Sequence, residues 1–340
     1  MDFAFSEEQE MLRSSARDFL GKECQSAYVR RMMTVDDAWD EALWRKLAEM
    51  GWTGLGIPEQ YGGVGTFLDL VVVLEEAGRA LLPGPFFSTM GLAVPALLEA
   101  GTEAQKQAAL SRIAAGDARA TVAFTEPAGR WDAEGVQLLG AQRSGDGWRL
   151  DGIKLFVPDA AVADYTVVAA RTRPAGEEGV TLFLVEGRPQ GMSVSPLKTL
   201  DMTRRWYEVR FEGVQLPGSA VMGGVDQGWG PLKRALEWAA AALCAEMIGG
   251  SQQVLDASVD YAKTRHQFGR PIGVYQAVSH KLADMLLETE SARSATYYAA
   301  WAVDADAPDR GLAASMAKAS EVALGDATYH RELVAQALDL

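Results

Sequence analysis

The chain has 340 residues, 48% hydrophobic and 23% charged, a composition that fits a globular protein with two or three compact cores and excludes the disordered and fibrous classes. Thirty-two basic residues against 46 acidic ones leave a formal net charge of −14, which argues against nucleic acid or an anionic membrane face as the main partner. Two cysteines, Cys24 and Cys244, and three histidines, His266, His280 and His330, argue against a disulfide scaffold or a zinc site; no secretory leader or apolar run of roughly 18 residues is visible, so a reducing, cytoplasmic setting is expected.

Residues 1 to about 117 read as helical. Phe5, Leu12 and Phe19, then Leu43, Leu47 and Met50, recur at helical spacing, and Gly21 and Gly51 are expected to end their runs. The stretch from Gly51 to Gly65 is too rich in glycine for a regular element and reads as a loop. A helix is expected from Thr66, whose hydroxyl can cap it with Asp69 three residues on, to Leu82 before Pro83. After Gly116 the texture changes. Ala120–Phe124, Gly147–Val157, Tyr165–Ala170, Val180–Val185, Met192–Pro196 and Tyr207–Phe211 are short, rich in β-branched and aromatic residues, and split by Gly, Pro and Asp turns. Strands with no helix between them predict an antiparallel sandwich or barrel. From Gly228 the helical period returns over Pro231–Thr264, Val274–Ala302 and Leu312 to the end. The α, β, α order predicts an α+β protein with domains at 1–117, 118–226 and 227–340. The pattern is still helical at Ala337–Leu340, without a glycine stop, so the carboxy-terminal helical region is expected to be shortened.

Three segments carry chemical possibilities. Ala123-Phe-Thr-Glu-Pro ends a strand with the Thr125 hydroxyl and neighbouring amides, where a flat polar ligand could lie; a plain proline turn is the structural alternative. Phe156, before the Pro158-Asp159 turn, can stack on a ring system or simply pack in the core. Arg265-His-Gln-Phe-Gly follows a long helix; a guanidinium beside a glycine break suits a phosphate or pyrophosphate, and a solvated arginine is the alternative.

Taken in order, these segments resemble the acyl-CoA dehydrogenase flavoprotein family. The matching pieces are Phe5-Ser-Glu-Glu-Gln-Glu-Met-Leu, the loop from Met50 to Gly63, Phe124-Thr-Glu-Pro, Gly152-Ile-Lys, Ala163-Asp, and Arg265-His-Gln-Phe-Gly-Arg-Pro-Ile with Gln276 and His280. They span essentially the whole chain. The resemblance implies an amino-terminal helical domain, a middle β domain and a carboxy-terminal helical bundle. It also implies FAD, and oxidation of an acyl-CoA thioester by carboxylate removal of the α proton with hydride transfer to flavin N5. Phe124, Thr125 and Phe156 match the family's flavin contacts. Arg265, Gln267, Phe268, Ile272 and Tyr275 match positions that reach the FAD of a neighbouring subunit, which implies a homo-oligomer or an α2β2-type hetero-oligomer with a second dehydrogenase subunit. An electron-transfer flavoprotein is the implied acceptor.

Several positions depart from the family pattern. The carboxy-terminal glutamate that serves most members as base, and the His-Gly-Gly stretch before it, do not occur before Leu340. In a minority the base lies on the long helix, at the position of Ala239 here. Glu246 lies seven residues, two helical turns, further along the same face in an apolar run, and is the leading candidate base; Glu237 is a weaker one. Trp131 stands where the family has a small serine, and Pro158 where many members offer a threonine hydroxyl. These departures keep two alternatives open: a non-catalytic partner subunit of a heteromeric dehydrogenase, and a flavin-free acyl-CoA-binding protein on the same fold.

Overall fold

The computed structural model describes residues 5–137, 139–174 and 176–326, with side chains described to residue 320. His330 and the Ala337–Leu340 pattern lie outside the described residues. Along the chain come amino-terminal helices, a middle sheet and carboxy-terminal helices, the expected α, β, α order. Packing gathers the chain into two units that cut across this order, one of residues 26–66 and 83–239, the other of the residues up to 25, 67–82 and those from 240 onward.

In chain order the helices and strands begin with α1 (Glu7–Glu23), α2 (Ser26–Met32), α3 (Glu41–Glu49), α4 (Phe67–Ala80), α5 (Val94–Ala100) and α6 (Glu103–Ala114). The strands β1 (Ala120–Ala123), β2 (Gly140–Ser144), β3 (Gly147–Pro158), β4 (Tyr165–Arg171), β5 (Val180–Glu186), β6 (Met192–Pro196), β7 (Trp206–Leu216) and β8 (Val221–Met222) follow. The last elements are α7 (Trp229–Thr264), β9 (His266–Gln267), β10 (Arg270–Pro271), α8 (Gln276–Asp304) and α9 (Arg310–Asp326).

The sheet of the first unit runs β6-β7-β3-β2-β4-β5-β8, with β1 beside β4. It is mixed, which corrects the expectation of a purely antiparallel arrangement: β1 pairs with β4 in parallel from Ala120↔Tyr165 to Ala123↔Val168, and β2 meets β4 in parallel at Gly140↔Arg171. The β2–β3 hairpin lies between these strands in the chain, so the parallel crossover needs no helix. Strand β2 was missed because Gly-Ala-Gln-Arg-Ser buries only Ala141; its pairing with β3, not its composition, makes it a strand. All seven residues of β4 are buried, as befits a strand covered on both faces. Trp148 and Phe183 meet edge to face at 5.4 Å in a core shared with Leu150, Val157, Tyr207 and Phe211.

In the second unit, α1 starts with a capping box at Ser6 and Gln9 and runs through Gly21, which corrects the expected stop there. Gly21 faces open space, and one helical glycine lowers stability by only ~1 kcal/mol. Helix α4 ends at Ala80 rather than Leu82. Leu81 takes the left-handed position at φ +53°, Leu81 N donates to Gly78 O (3.1 Å) and Leu82 N to Ala77 O (2.9 Å). From Leu70 to Gly78 α4 is buried at every position, including the adjacent Glu75 and Glu76. Glu76 accepts two hydrogen bonds from Arg17 of α1 (2.9 and 2.6 Å). Glu75 pairs with Arg293 of α8 and accepts from the Tyr297 hydroxyl (2.5 Å). Helices α4 and α7 cross backbone to backbone: a Cβ at Gly78 would lie 1.9 Å from the Glu246 carbonyl oxygen, and one at Gly249 1.7 Å from that of Glu75.

Candidate functional site

The cofactor-binding residues expected from the sequence form two clusters, one in each unit. The first lies where β1 ends against the middle of β3. Three bonds stitch the segments together: the Thr121 hydroxyl donates to Pro158 O (2.6 Å), Lys154 Nζ to Phe124 O (3.1 Å), and Leu155 N to Thr125 O (2.8 Å). Phe124 and Thr125, 8% and 6% exposed, are thereby set beside Phe156, which is 52% exposed. Phe156 sits at φ +51° where the β3–β7 register shifts between Lys154 and Val157, so its ring is turned out of the sheet. Core packing is therefore not its role. The Thr125 hydroxyl has no hydrogen-bond partner among the described residues.

Beneath this cluster lies a pair of buried opposite charges. Lys154 and Glu126, both almost fully buried, form an ion pair at 2.7 Å. Glu126 also accepts from Gln137 N (2.8 Å) and Leu139 N (3.2 Å). Burial pushes the Lys154 ammonium down to about 8, against the pull of Glu126 and with the help of nearby Arg171. Such a pair holds the main chain on both sides of Thr125. The signal that could have found it is a lysine inside a strand and a glutamate just past a strand end, each next to apolar residues.

Between Glu126 and Gln137 the chain makes a braced loop with Trp131 at its tip. The Arg130 guanidinium donates twice to the Asp132 carboxylate (3.0 and 2.5 Å), and Asp132 caps the following turn by accepting from Gly135 N (3.0 Å). Arg130 holds the Asp132 carboxyl below the usual carboxylate range. From β4, Arg171 donates to the carbonyls of Val136 (2.7 Å) and Ala133. The Trp131 ring meets Phe124 edge to face at 4.9 Å and 78°.

The second cluster is a two-residue hairpin after α7. Strands β9 and β10 pair at Gln267↔Arg270, and Phe268 and Gly269 turn the chain at φ +51° and +73°. Two positive φ values in succession match the twist of a tight hairpin. Ile272 N donates to Arg265 O (2.8 Å), and the Tyr275 hydroxyl to Gln267 O (3.0 Å). The structure thus brings Arg265, Gln267, Phe268, Ile272 and Tyr275 together. Phe268 is 92% exposed, and the exposed Arg265 guanidinium and Gln267 amide have no partner among the described residues. Glu246 is in neither cluster: it lies on α7 at the crossing with α4, partly buried. Glu237 and Ala239 lie earlier on α7, Ala239 buried.

Among the described residues no group of three His, Cys, Asp or Glu could hold a metal ion, and no helix is long and apolar enough to cross a membrane.

Family models for the acyl-CoA dehydrogenase N-terminal, middle and C-terminal domains match residues 6–117, 121–214 and 226–331. An acyl-CoA dehydrogenase of Bacillus subtilis is 32% identical over 323 residues, covering 92% of this chain and 83% of the relative. The caffeyl-CoA reductase–Etf complex subunit CarC of Acetobacterium woodii is 32% identical over 326 residues, covering 94% and 85%. The solved structure of PigA with FAD and proline superposes with a TM-score of 0.88 at 27% identity, covering 99% of this chain and 88% of that one. Each cluster by itself fits a part of FAD: the Thr125 hydroxyl, unengaged among the described residues and next to Phe124, suits a flavin ring, and the exposed Arg265 guanidinium of the hairpin suits a diphosphate.

Proposed function

The chain belongs to the acyl-CoA dehydrogenase family of FAD-binding oxidoreductases, and from that membership we propose that it dehydrogenates an acyl-CoA thioester across its α and β carbons to the enoyl-CoA. The observation that carries this reading is the Phe124–Thr125 strand end, buried, pinned by the Lys154–Glu126 pair and with the Thr125 hydroxyl unengaged among the described residues. Bound FAD would supply the acceptor for the hydride that leaves the β carbon. Phe124 and Phe156 would hold the flavin ring by apolar contact, and the Thr125 hydroxyl could hydrogen-bond with it. Arg265, with its planar fork, would bind the diphosphate of the FAD in a neighbouring subunit. Gln267, Phe268, Ile272 and Tyr275 complete the cofactor site of a neighbouring subunit, either a second copy or an unlike dehydrogenase chain in an α2β2 assembly. The domains at 1–117, 118–226 and 227–340 act as the three working parts. Electrons pass to an electron-transfer flavoprotein, in keeping with the name of the Acetobacterium woodii relative.

Glu246 is the carboxylate we assign to remove the α proton. A solvated carboxylate is a weak base, so the site must exclude water around it when substrate binds. The test is the visible spectrum of the purified, FAD-loaded protein under anaerobic conditions with a panel of acyl-CoA esters. One ester should bleach the flavin band, and Glu246→Gln should slow bleaching at least ~100-fold. Bleaching at an unchanged rate in that variant removes Glu246 from the reaction. It would favour the second reading, a non-catalytic partner subunit, for which Ala239 at the helix-borne base position and Trp131 in place of a serine already speak.

A further inference from the structure

We propose that Trp131 is a specificity-determining residue, a stacking platform for an aromatic ring carried by the acyl group of the thioester; this rests on the dehydrogenase reading above. Trp131 is 68% exposed although it is among the largest apolar side chains in the protein. Covering an exposed indole is favourable, so one that stands in solvent beside Phe124 offers apolar surface to a ligand. Arg130 and Asp132 are paired across it, Asp132 caps the next turn, Arg171 holds the carbonyls of Ala133 and Val136, and the Lys154–Glu126 pair anchors the start of the loop. The main chain that carries the indole is thus braced, and little backbone freedom remains to be lost when a ligand stacks on the ring.

Its contact with Phe124 is edge to face, an arrangement that leaves at least one indole face uncovered. Phe124 is the residue next to Thr125, so the platform borders the reacting end of the thioester. The adenine of CoA is separated from that end by the whole pantetheine arm and the diphosphate, which favours the acyl group as the stacked ring. Charge plays no part in the selection, because the Arg130 guanidinium next to the indole is already taken by Asp132. An acyl chain ending in a carboxylate therefore finds no free cation on this loop.

The experiment measures binding of 3-phenylpropionyl-CoA, hexanoyl-CoA and CoA to the FAD-loaded protein by calorimetry, with tryptophan fluorescence in parallel. Wild type, Trp131→Ser and Trp131→Phe are compared after their melting temperatures are shown to agree. Trp131→Ser should weaken 3-phenylpropionyl-CoA about 2- to 10-fold and leave hexanoyl-CoA and CoA within twofold, and Trp131→Phe should keep most of the aryl preference. Equal weakening of CoA alone would mean that the indole stacks on adenine, and an aryl-to-hexanoyl ratio unmoved by Trp131→Ser would mean that it stacks on nothing; either overturns the proposal. In both cases thioester binding and flavin bleaching in the wild type leave the dehydrogenase reading standing, whereas a wild type that binds neither thioester overturns both.

Discussion

The two clusters of candidate site residues are built in opposite ways. At the Phe124–Thr125 strand end the polar groups are buried and paired: a lysine and a glutamate neutralise one another, and each also holds main chain. In the Arg265–Tyr275 hairpin the main chain bonds to itself, helped by the Tyr275 hydroxyl, and Arg265, Gln267 and Phe268 stand in solvent. The first region spends its side chains on holding its own shape and leaves one hydroxyl for a ligand. The second keeps its shape through backbone bonds and leaves its side chains for something else to engage. Damage to the first should therefore unfold it, while damage to the second should leave the fold intact.

The sharpest way to break this contrast is Lys154→Met. It leaves Glu126 as an uncompensated buried charge and should lower stability by about 3–5 kcal/mol in a denaturant titration, much of which the added Glu126→Gln change should restore. Near-normal stability of Lys154→Met would show that the pair does not organise the strand end. The effect of pH sharpens the same point. The Lys154 ammonium titrates at about 8 in the folded state against 10.5 when unfolded. Between those values the unfolded chain binds the proton and the folded one does not, so this group makes stability rise with pH, by up to ~1.4 kcal/mol per pH unit. Wild type should show that extra positive slope relative to Lys154→Met between pH 8 and 10.5, and identical slopes would refute the assignment. The smallest effect belongs to the hairpin: Phe268→Ala should move the unfolding free energy by no more than about 0.5 kcal/mol. Its consequence should appear in FAD retention and in subunit assembly, read by gel filtration with absorbance at two wavelengths.

The α, β, α order was legible because helical and strand periods differ and each was sustained over several elements. The long helices were legible to within a few residues, as at Thr264, where α7 ends as expected. What was not legible depended on partners distant in sequence. Strand β2 has no strand-like composition, the stop of α4 at Leu81 uses a left-handed leucine where glycine would be looked for, and the parallel β1–β4 pairing has no local signature. The two site clusters could be named only through their joint resemblance to a family, since Thr125 or Arg265 alone fits many bland readings. The Lys154–Glu126 pair escaped because opposite charges 28 residues apart show no spacing rule. Trp131 was visible as a departure, but its contact with Phe124 was not.

The paired glutamates of α4 also carry a mechanical meaning. Neighbouring residues on a helix point about 100° apart, and here Glu76 is tied to α1 while Glu75 is tied to α8. Any roll of α4 about its axis lengthens one tie or drives the other into its partner. Sliding along the axis is blocked as well, because the glycine crossing with α7 leaves no clearance at Gly78 or Gly249. Helix α4 is thus keyed like a splined shaft, and Glu246, whose carbonyl abuts it, inherits a fixed height on α7.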